Sequence, residues 1–188
     1  MSETKTVAAP VVVLGVTGGI AAYKAADLVS KMVQRGMLVH VIMTRAAQEF
    51  VTPRTFLTLS RQPVTTSLWE TPEWKPEHVA MAQEADLLVI APCSANMLGK
   101  MAHGIADDAL STYILAHEKP VIVAPAMNPA MWRNAAVRDN VALLRRRGVI
   151  FAGPVSGHVA CGGDGEGRMA EPMEILAVIE RELERSRA

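Results

Sequence analysis

Short runs of apolar, largely β-branched residues alternate along this chain with segments of helical periodicity. The first run, over 11–16, is continuous, as in a strand buried on both faces of a sheet. After Thr-Gly-Gly, an apolar stripe at helical spacing covers 20–35 and stops at Gly36. Repetition of this pattern predicts an α/β fold with an open parallel sheet and helices on both faces.

The later elements follow the same alternation. Pro53 can begin a short helix, Ser94 can cap another, and Asp107 or Asp108 can cap one that ends near His117. We expect further strands over 38–43, 85–91, 121–124 and 149–152, and further helices over 46–51, 95–102, 134–147 and 171–185. The strand over 85–91 should end at the following proline, and the run over 149–152 should be the last strand.

Length and composition bound the organisation of the chain. Its 188 residues, half of them apolar, fit a single domain over 1–188 with a sizeable core. Residues 1–9 are predicted to be a polar N-terminal tail without the features of a signal peptide. Six glycines predict a mobile loop over about 153–169, and 62–77 should be a surface excursion with one short strand at most.

Charge and cysteine usage exclude several function classes. Basic and acidic side chains number 19 each, which argues against a broad nucleic-acid or anionic-membrane surface. No apolar run approaches the roughly 18 residues that a membrane span needs. Two cysteines make no disulfide framework, so we expect reduced thiols in a cytoplasmic protein. The five histidines lack metal-ligand spacing, and no metal site is expected.

Several candidate motifs follow predicted strands, whose carboxyl ends form the ligand-binding edge of an open parallel sheet. Gly18 and Gly19 lie where backbone N–H groups and the helix dipole can bind a phosphate, although an ordinary tight turn fits equally well. Thr44 can donate to the same anion or merely cap a helix. The stretch 91–96, Ala-Pro-Cys-Ser-Ala-Asn, can bond the polar edge of a heterocycle or serve only as a cap and turn.

The segment 125–132, Pro-Ala-Met-Asn-Pro-Ala-Met-Trp, is unusual for a simple turn. Two prolines make it rigid, and Asn128 offers both a donor and an acceptor suited to a carboxylate or an amide. Met131 and Trp132 can pack on a flat ligand, or they can fill a buried corner of the core. The segment is therefore a candidate binding site with a structural alternative.

His78 and Cys161 are the candidate reactive side chains. Cys161 lies in a glycine-rich stretch close to Arg168, a context that favours a reactive thiolate over a structural cysteine. Cys93 has the opposite balance and is expected to be a packing residue. A lone histidine is more often structural, so the pattern around His78 does not by itself indicate catalysis.

Together these segments resemble the homo-oligomeric flavin-containing cysteine decarboxylase family over about 11–172. The Pro-Ala-Met-Asn-x-x-Met-Trp and Ala-Cys-Gly-x-x-Gly-x-Gly-x-Met segments are highly specific in combination. The resemblance implies that His78 is the catalytic histidine and that Cys161 lies on a flexible clamp over the substrate. It also implies that Asn128 holds the substrate carboxylate, with Met131 beside it. The positions that match the family's FMN contacts are Gly18, Gly19, Ile20, Thr44, Ser94, Ala95, Asn96, Met97 and Ala126.

The reaction implied by the resemblance is the FMN-dependent decarboxylation of 4′-phosphopantothenoylcysteine to 4′-phosphopantetheine in coenzyme A biosynthesis. Direct loss of CO2 would leave a carbanion without an electron sink, so the thiol is first oxidised to a thioaldehyde by hydride transfer to FMN. Decarboxylation then gives an enethiol, which Cys161 would protonate while the hydride returns. His78 would assist proton movement or orientation in the oxidative half.

The resemblance further implies a three-layer Rossmann-like (flavodoxin-like) subunit that binds FMN. It also implies a homotrimer, or a dodecamer built from trimers, with active sites shared between subunits. We expect a separate synthetase in the pathway, and neither a nucleic-acid nor a membrane partner. Cys93 and Ala109 depart from the family's usual residues without touching a catalytic role. The alternatives are a peptidyl-cysteine decarboxylase of a ribosomal-peptide pathway, a flavin prenyltransferase and a non-enzymatic regulatory flavoprotein. The combination of His78, Asn128 and Cys161 argues against them.

Overall fold

A computed structural model of the chain describes residues 9–69, 84–158 and 164–187. A six-stranded parallel sheet forms its centre, in the order β3-β2-β1-β4-β5-β6. The strands are β1 Val11–Val16, β2 Leu38–Met43, β3 Val64–Thr65, β4 Leu87–Cys93, β5 Val121–Pro125 and β6 Ile150–Phe151. This is the order of doubly wound Rossmann folds, in which the winding reverses between β1 and β4. The predicted open parallel sheet is confirmed.

Helices cover both faces of the sheet. They are α1 Ala22–Gln34, α2 Pro53–Ser60, α3 Ala95–His103, α4 Ala109–Ala116, α5 Pro129–Arg133, α6 Ala135–Arg146 and α7 Pro172–Arg187, with a 3-10 turn over Arg45–Glu49. Successive strand residues point to opposite faces. Val12 and Leu14 therefore join the core formed with α1, α2 and α7, whereas Val13 joins the core formed with α3 to α6. Burial on both faces explains why the strands are continuously apolar.

Several helix starts follow the predicted capping residues. The Ser94 Oγ accepts the backbone N–H of Met97 at 3.3 Å, and α3 begins there. Asp108 and Ser111 form a reciprocal capping box at the start of α4. Pro53 occupies the first turn of α2, where its missing N–H costs nothing.

Two sequence predictions, for the end of β4 and for residues 129–133, were wrong. The strand β4 does not end before Pro92 but continues through it to Cys93, and its register against β5 shifts after Ile90. Pro92 has no N–H to donate, yet its carbonyl oxygen still accepts a hydrogen bond from the backbone N–H of Thr17, the residue after β1. Residues 129–133 form the short helix α5 where only a turn was expected, because Asn128 caps it and Pro129 begins it.

The glycine-rich pattern predicted a mobile loop over about 153–169, but most of the described part of that range forms strands. Residues Val155–His158 (β7) and Asp164–Arg168 (β8) pair as an antiparallel hairpin, so β6 is not the last strand. The glycines interrupt the apolar alternation by which strands are recognised, which is why the pattern concealed the hairpin. Residues 1–8, 70–83, 159–163 and 188 lie outside the described residues, and the predictions for them stay predictions.

The described ranges contain no helix that combines the length and the apolar character needed to cross a bilayer. The same ranges contain no cluster of three His, Cys, Asp or Glu side chains suited to hold a metal ion.

Acidification should destabilise the fold through His117. This side chain is 9% exposed, and its two ring nitrogens lie 3.4 Å from the Tyr113 hydroxyl and 3.4 Å from the Pro120 carbonyl oxygen. Burial lowers the pKa of His117, despite the opposing hydrogen bond to Pro120. The unfolded chain therefore takes up a proton first, so the stabilisation is complete above about pH 6.5 and is lost as the pH falls below it.

Denaturant unfolding at pH 7, 6 and 5 tests this expectation. The unfolding free energy of wild type should fall more steeply over that range than that of His117→Gln. Burial also lowers the pKa of His40, with Glu84 opposing, so the variant should retain part of the slope. Equal slopes for the two proteins would contradict a role for His117.

Candidate active site

A cleft of about 450 Å3 lies at the carboxyl ends of β1, β4 and β5. This is the edge at which the winding of the sheet reverses, where open α/β sheets bind their ligands. The volume falls within the range of small-molecule and cofactor sites. Its lining comprises Gly18, Gly19, Ile20, Ala21, Tyr23, Lys24, Ser94, Ala95, Ala126, Met127, Asn128, Met131, His158, Gly167, Arg168 and Met169.

The turn between β1 and α1 forms one wall of the cleft from backbone. Gly18 fits closely against the chain after β2, since a Cβ there would lie 2.5 Å from the Ala46 Cβ. Gly19 has no protein atom within 4 Å of the position that its Cβ would take. In the described part of the chain, the N–H groups of Gly18, Gly19 and Ile20 donate to no backbone oxygen. Such amides at the start of a helix can receive an anion.

The segment after β5 forms another wall and is rigid, as its prolines predicted. The Asn128 Oδ1 accepts the backbone N–H of Ala130 at 2.7 Å, which fixes the asparagine at the start of α5. Met131 lines the cleft and is 48% exposed, so it offers an apolar surface to a ligand or a neighbour. Trp132 instead lies in the core at 2% exposure, with the Arg138 guanidinium 5.9 Å from its ring centre. Trp132 therefore fills the core, as the structural alternative for this segment predicted, whereas Met131 does not.

The hairpin closes the cleft by packing against this segment. The backbone N–H of Met127 donates to the Gly167 carbonyl at 2.9 Å. A Cβ on Gly167 would lie 2.4 Å from the Met127 carbonyl oxygen, and one on Gly165 would lie 2.8 Å from the Pro129 Cβ. Two of the glycines thus let β8 approach the Asn128 segment more closely than any side chain would permit.

Three charged side chains meet beside the cleft. The Lys24 Nζ lies 2.9 Å from the Glu171 Oε1, and Arg168 pairs with the same carboxylate. The hydrogen bond from Lys24, assisted by the one from Arg168, holds the pKa of Glu171 below its ordinary value. The carboxylate of Glu174 lies next to this group, since its Oε2 accepts the backbone N–H of Glu171 at 2.8 Å.

Most of the residues predicted for ligand binding line this single cleft: Gly18, Gly19, Ile20, Ser94, Ala95, Ala126, Asn128 and Met131. Thr44 does not line it, and its Oγ1 accepts the Ala47 N–H at 3.3 Å as a helix cap. Asn96 faces a neighbouring groove, and Met97 lies in the core at 1% exposure. The candidate reactive residues His78 and Cys161 lie outside the described residues.

Sequence reasoning did not single out Tyr23, Lys24, His158 or Met169, all of which line the cleft. Tyr23 and Lys24 lie one turn beyond the glycine pair, so their position followed from the predicted helix. His158 is the last residue of β7, and only the unrecognised hairpin brings it here.

The Flavoprotein family matches residues 1–184 of the chain. The coenzyme A biosynthesis bifunctional protein CoaBC of Vibrio vulnificus is 46% identical over 178 residues, which are 94% of this chain and 44% of that protein. The chain therefore spans less than half the length of this curated relative.

Two solved structures share the fold across nearly the whole chain. A PPC decarboxylase mutant complexed with pantothenoylaminoethenethiol has a TM-score of 0.81 at 32% identity, with 93% of this chain and 98% of that chain covered. The FMN-dependent cysteine decarboxylase SpaF has a TM-score of 0.81 at 30% identity, with 95% and 98% covered.

Proposed function

Because this chain belongs to the Flavoprotein family, we propose that it is a phosphopantothenoylcysteine decarboxylase that uses FMN. It would convert 4′-phosphopantothenoylcysteine to 4′-phosphopantetheine and CO2 in coenzyme A biosynthesis. The observation that carries the proposal is the likeness to the PPC decarboxylase complex over 98% of that chain, at 32% identity. The similarity to CoaBC at 46% identity supports the same pathway.

The residues of the cleft fit a flavin mononucleotide. The amides of Gly18, Gly19 and Ile20 suit a phosphate at the start of α1, and the absence of a side chain at Gly19 leaves room for it. Ser94, Ala95 and Ala126 are small enough to admit a flat ring system between the strand ends. We propose lesser contributions from Thr44, Asn96 and Met97, which are not among the lining residues. When bound, FMN supplies the reversible hydride acceptor that oxidation of a thiol requires.

The chain's own residues would orient the substrate and move its protons. The Asn128 side chain, fixed at the start of α5, would hold the substrate carboxylate next to Met131. His78 would take or orient the thiol proton as a thioaldehyde forms, and the C=S group would then accept the electrons released with CO2. Cys161 would protonate the resulting enethiol while the hydride passed to FMN is returned to it, which leaves no net change in oxidation state.

Subunit contacts belong to the same proposal. Ile20 and Tyr23 are 60% and 61% exposed at the edge of the cleft, and such apolar exposure favours cover by a second subunit. This supports active sites shared between subunits. The homotrimer, or the dodecamer built from trimers, that the resemblance implies stays a prediction. A separate synthetase and a cytoplasmic location stay predictions.

The test is to incubate the FMN-loaded protein with 4′-phosphopantothenoylcysteine and to identify the products by mass spectrometry. Wild type should release 4′-phosphopantetheine. Cys161→Ser should instead accumulate the enethiol, which has two hydrogen atoms fewer, because the proton donor for the last step is gone. Cys93→Ala, which removes the other, buried thiol, should still form the saturated product.

A lack of turnover by FMN-loaded wild type would overturn the proposal. A peptidyl-cysteine substrate or a regulatory role would then be the better-supported hypothesis. Saturated product from Cys161→Ser would leave the activity in place but remove Cys161 from the proton-donor role.

A further inference from the structure

Thr17 joins two loops that both line the cleft, although it does not line the cleft itself. It directly precedes the glycine pair and is 2% exposed. Its hydroxyl donates to the Pro92 carbonyl oxygen at 2.8 Å and accepts the backbone N–H of Ser94 at 3.0 Å. Its own backbone N–H donates to the same Pro92 carbonyl at 3.3 Å. A single side chain thus connects the end of β1 to the end of β4.

The sheet needs such a connection at this position. The ladder between β1 and β4 ends with the pair Gly15 and Ile90, although β4 continues to Cys93. Pro92 has no N–H, so the ladder cannot continue in the usual way. Beyond this point the two strands lead into two separate walls of the cleft, at 18–20 and 94–95. The hydroxyl and the backbone N–H of Thr17 together connect the two strands where the regular ladder has ended.

We propose that Thr17 is a positioning residue for cofactor binding, whose hydroxyl sets the spacing between the two walls of the cleft. The inference rests on the proposed function in one respect, namely that the ligand is FMN. Valine has nearly the shape of threonine but can neither accept the Ser94 N–H nor donate to Pro92. A buried donor without an acceptor is unfavourable, and the loop relieves it by moving, which displaces Ser94 and Ala95.

The experiment compares the affinity of the full chain for FMN, measured by fluorescence titration after removal of bound flavin, in wild type, Thr17→Val and Thr17→Ser. Thr17→Val should weaken binding by about tenfold or more, whereas Thr17→Ser, which keeps the hydroxyl, should stay within about threefold of wild type. The visible circular dichroism of the bound flavin should change in Thr17→Val only. If Thr17→Val does not fold, the same measurements are made on Thr17→Ala, which also lacks the hydroxyl.

Ser60 provides a matched control outside the cleft. It is 5% exposed, and its Oγ donates to the Gln62 carbonyl at 3.2 Å and accepts the Gln62 N–H at 3.1 Å. Ser60→Ala should therefore lower the unfolding free energy of the flavin-free chain, as Thr17→Val does, but leave FMN affinity and the dichroism unchanged.

The outcomes separate this inference from the proposed function. Thr17→Val that binds FMN within about threefold of wild type, with the same dichroism, would overturn the positioning role whatever its stability. Weakened FMN binding by Ser60→Ala would overturn it as well, since general loss of stability would then explain both variants. Wild type that binds no FMN would instead overturn the proposed function.

Discussion

Replacing Gly167 with alanine should reduce kcat/KM by about a hundredfold or more while the central sheet stays folded. The alanine Cβ would lie 2.4 Å from the Met127 carbonyl oxygen and 3.3 Å from the Pro129 nitrogen. Both are backbone atoms, so no side chain can swing aside to make room. The φ of Gly167 is +152°, which L-residues rarely adopt, and this adds to the strain.

The consequence is local to the cleft because β8 would have to withdraw from the segment that it contacts. The hydrogen bond from Met127 to Gly167 would be lost, and the wall that carries Asn128 would lose its support. The six-stranded sheet contains neither residue, so the unfolding free energy should fall by only about 1–3 kcal/mol. Steady-state kinetics on the FMN-loaded protein and denaturant unfolding measure the two effects.

Gly99 is the matched control for this substitution. It lies inside α3, where an added Cβ would meet only the Asn140 Nδ2 at 3.7 Å, an ordinary contact distance. Gly99→Ala should leave kcat/KM unchanged and stabilise the chain slightly, since alanine favours helix over glycine by about 1 kcal/mol. Activity within about fivefold of wild type in Gly167→Ala would show that close packing of the hairpin is not needed for turnover.

The adjacent glycines at the start of α1 should respond differently to the same change. Gly18→Ala would bring its Cβ to 2.5 Å from the Ala46 Cβ and 2.9 Å from the Ala46 carbonyl carbon. We expect the flavin-free chain to lose about 1–3 kcal/mol of unfolding free energy, as overpacked sites do. The turn must also shift, so FMN affinity should fall by about tenfold or more.

Gly19→Ala should weaken FMN binding without destabilising the flavin-free chain. No protein atom lies within 4 Å of its added Cβ, which would occupy open space at the edge of the cleft. We expect unchanged unfolding free energy and an affinity for FMN reduced by about tenfold or more. Equal losses of stability in the two variants, or unaltered FMN binding by both, would contradict the assignment of these glycines to the cofactor.

The sheet was predictable because a parallel sheet covered on both faces demands continuous apolar strands. Val11–Val16 is such a run, and the structure confirms it to the residue. The hairpin was not predictable because Val155–His158 and Asp164–Arg168 are rich in glycine and polar residues. The strand β8 is held by contact with α5 and the segment before it rather than by an apolar face of its own, so no local pattern indicates the hairpin.

The parts of the candidate site that lie at strand ends were predictable from the sequence. The parts formed by residues far apart in the sequence were not. Ser94 and Asn128 follow adjacent parallel strands, so topology alone brings them near the Gly18 turn. Lys24 and Glu171 are separated by 147 residues, and nothing in the pattern of either segment indicates their ion pair. The hydrogen bonds of Thr17 to the end of β4 likewise could be predicted only if β1 and β4 were known to be neighbours.

The walls of the cleft come from both halves of the sheet. Residues 18–24 follow β1 in one half, whereas 94–95 and 126–128 follow β4 and β5 in the other. A ligand seated there works as a non-covalent cross-link, because opening of either half alone destroys its site. Its binding free energy therefore opposes partial opening as well as complete unfolding. Flavin content would then govern how long the protein survives proteolysis, independently of any chemistry that the flavin performs.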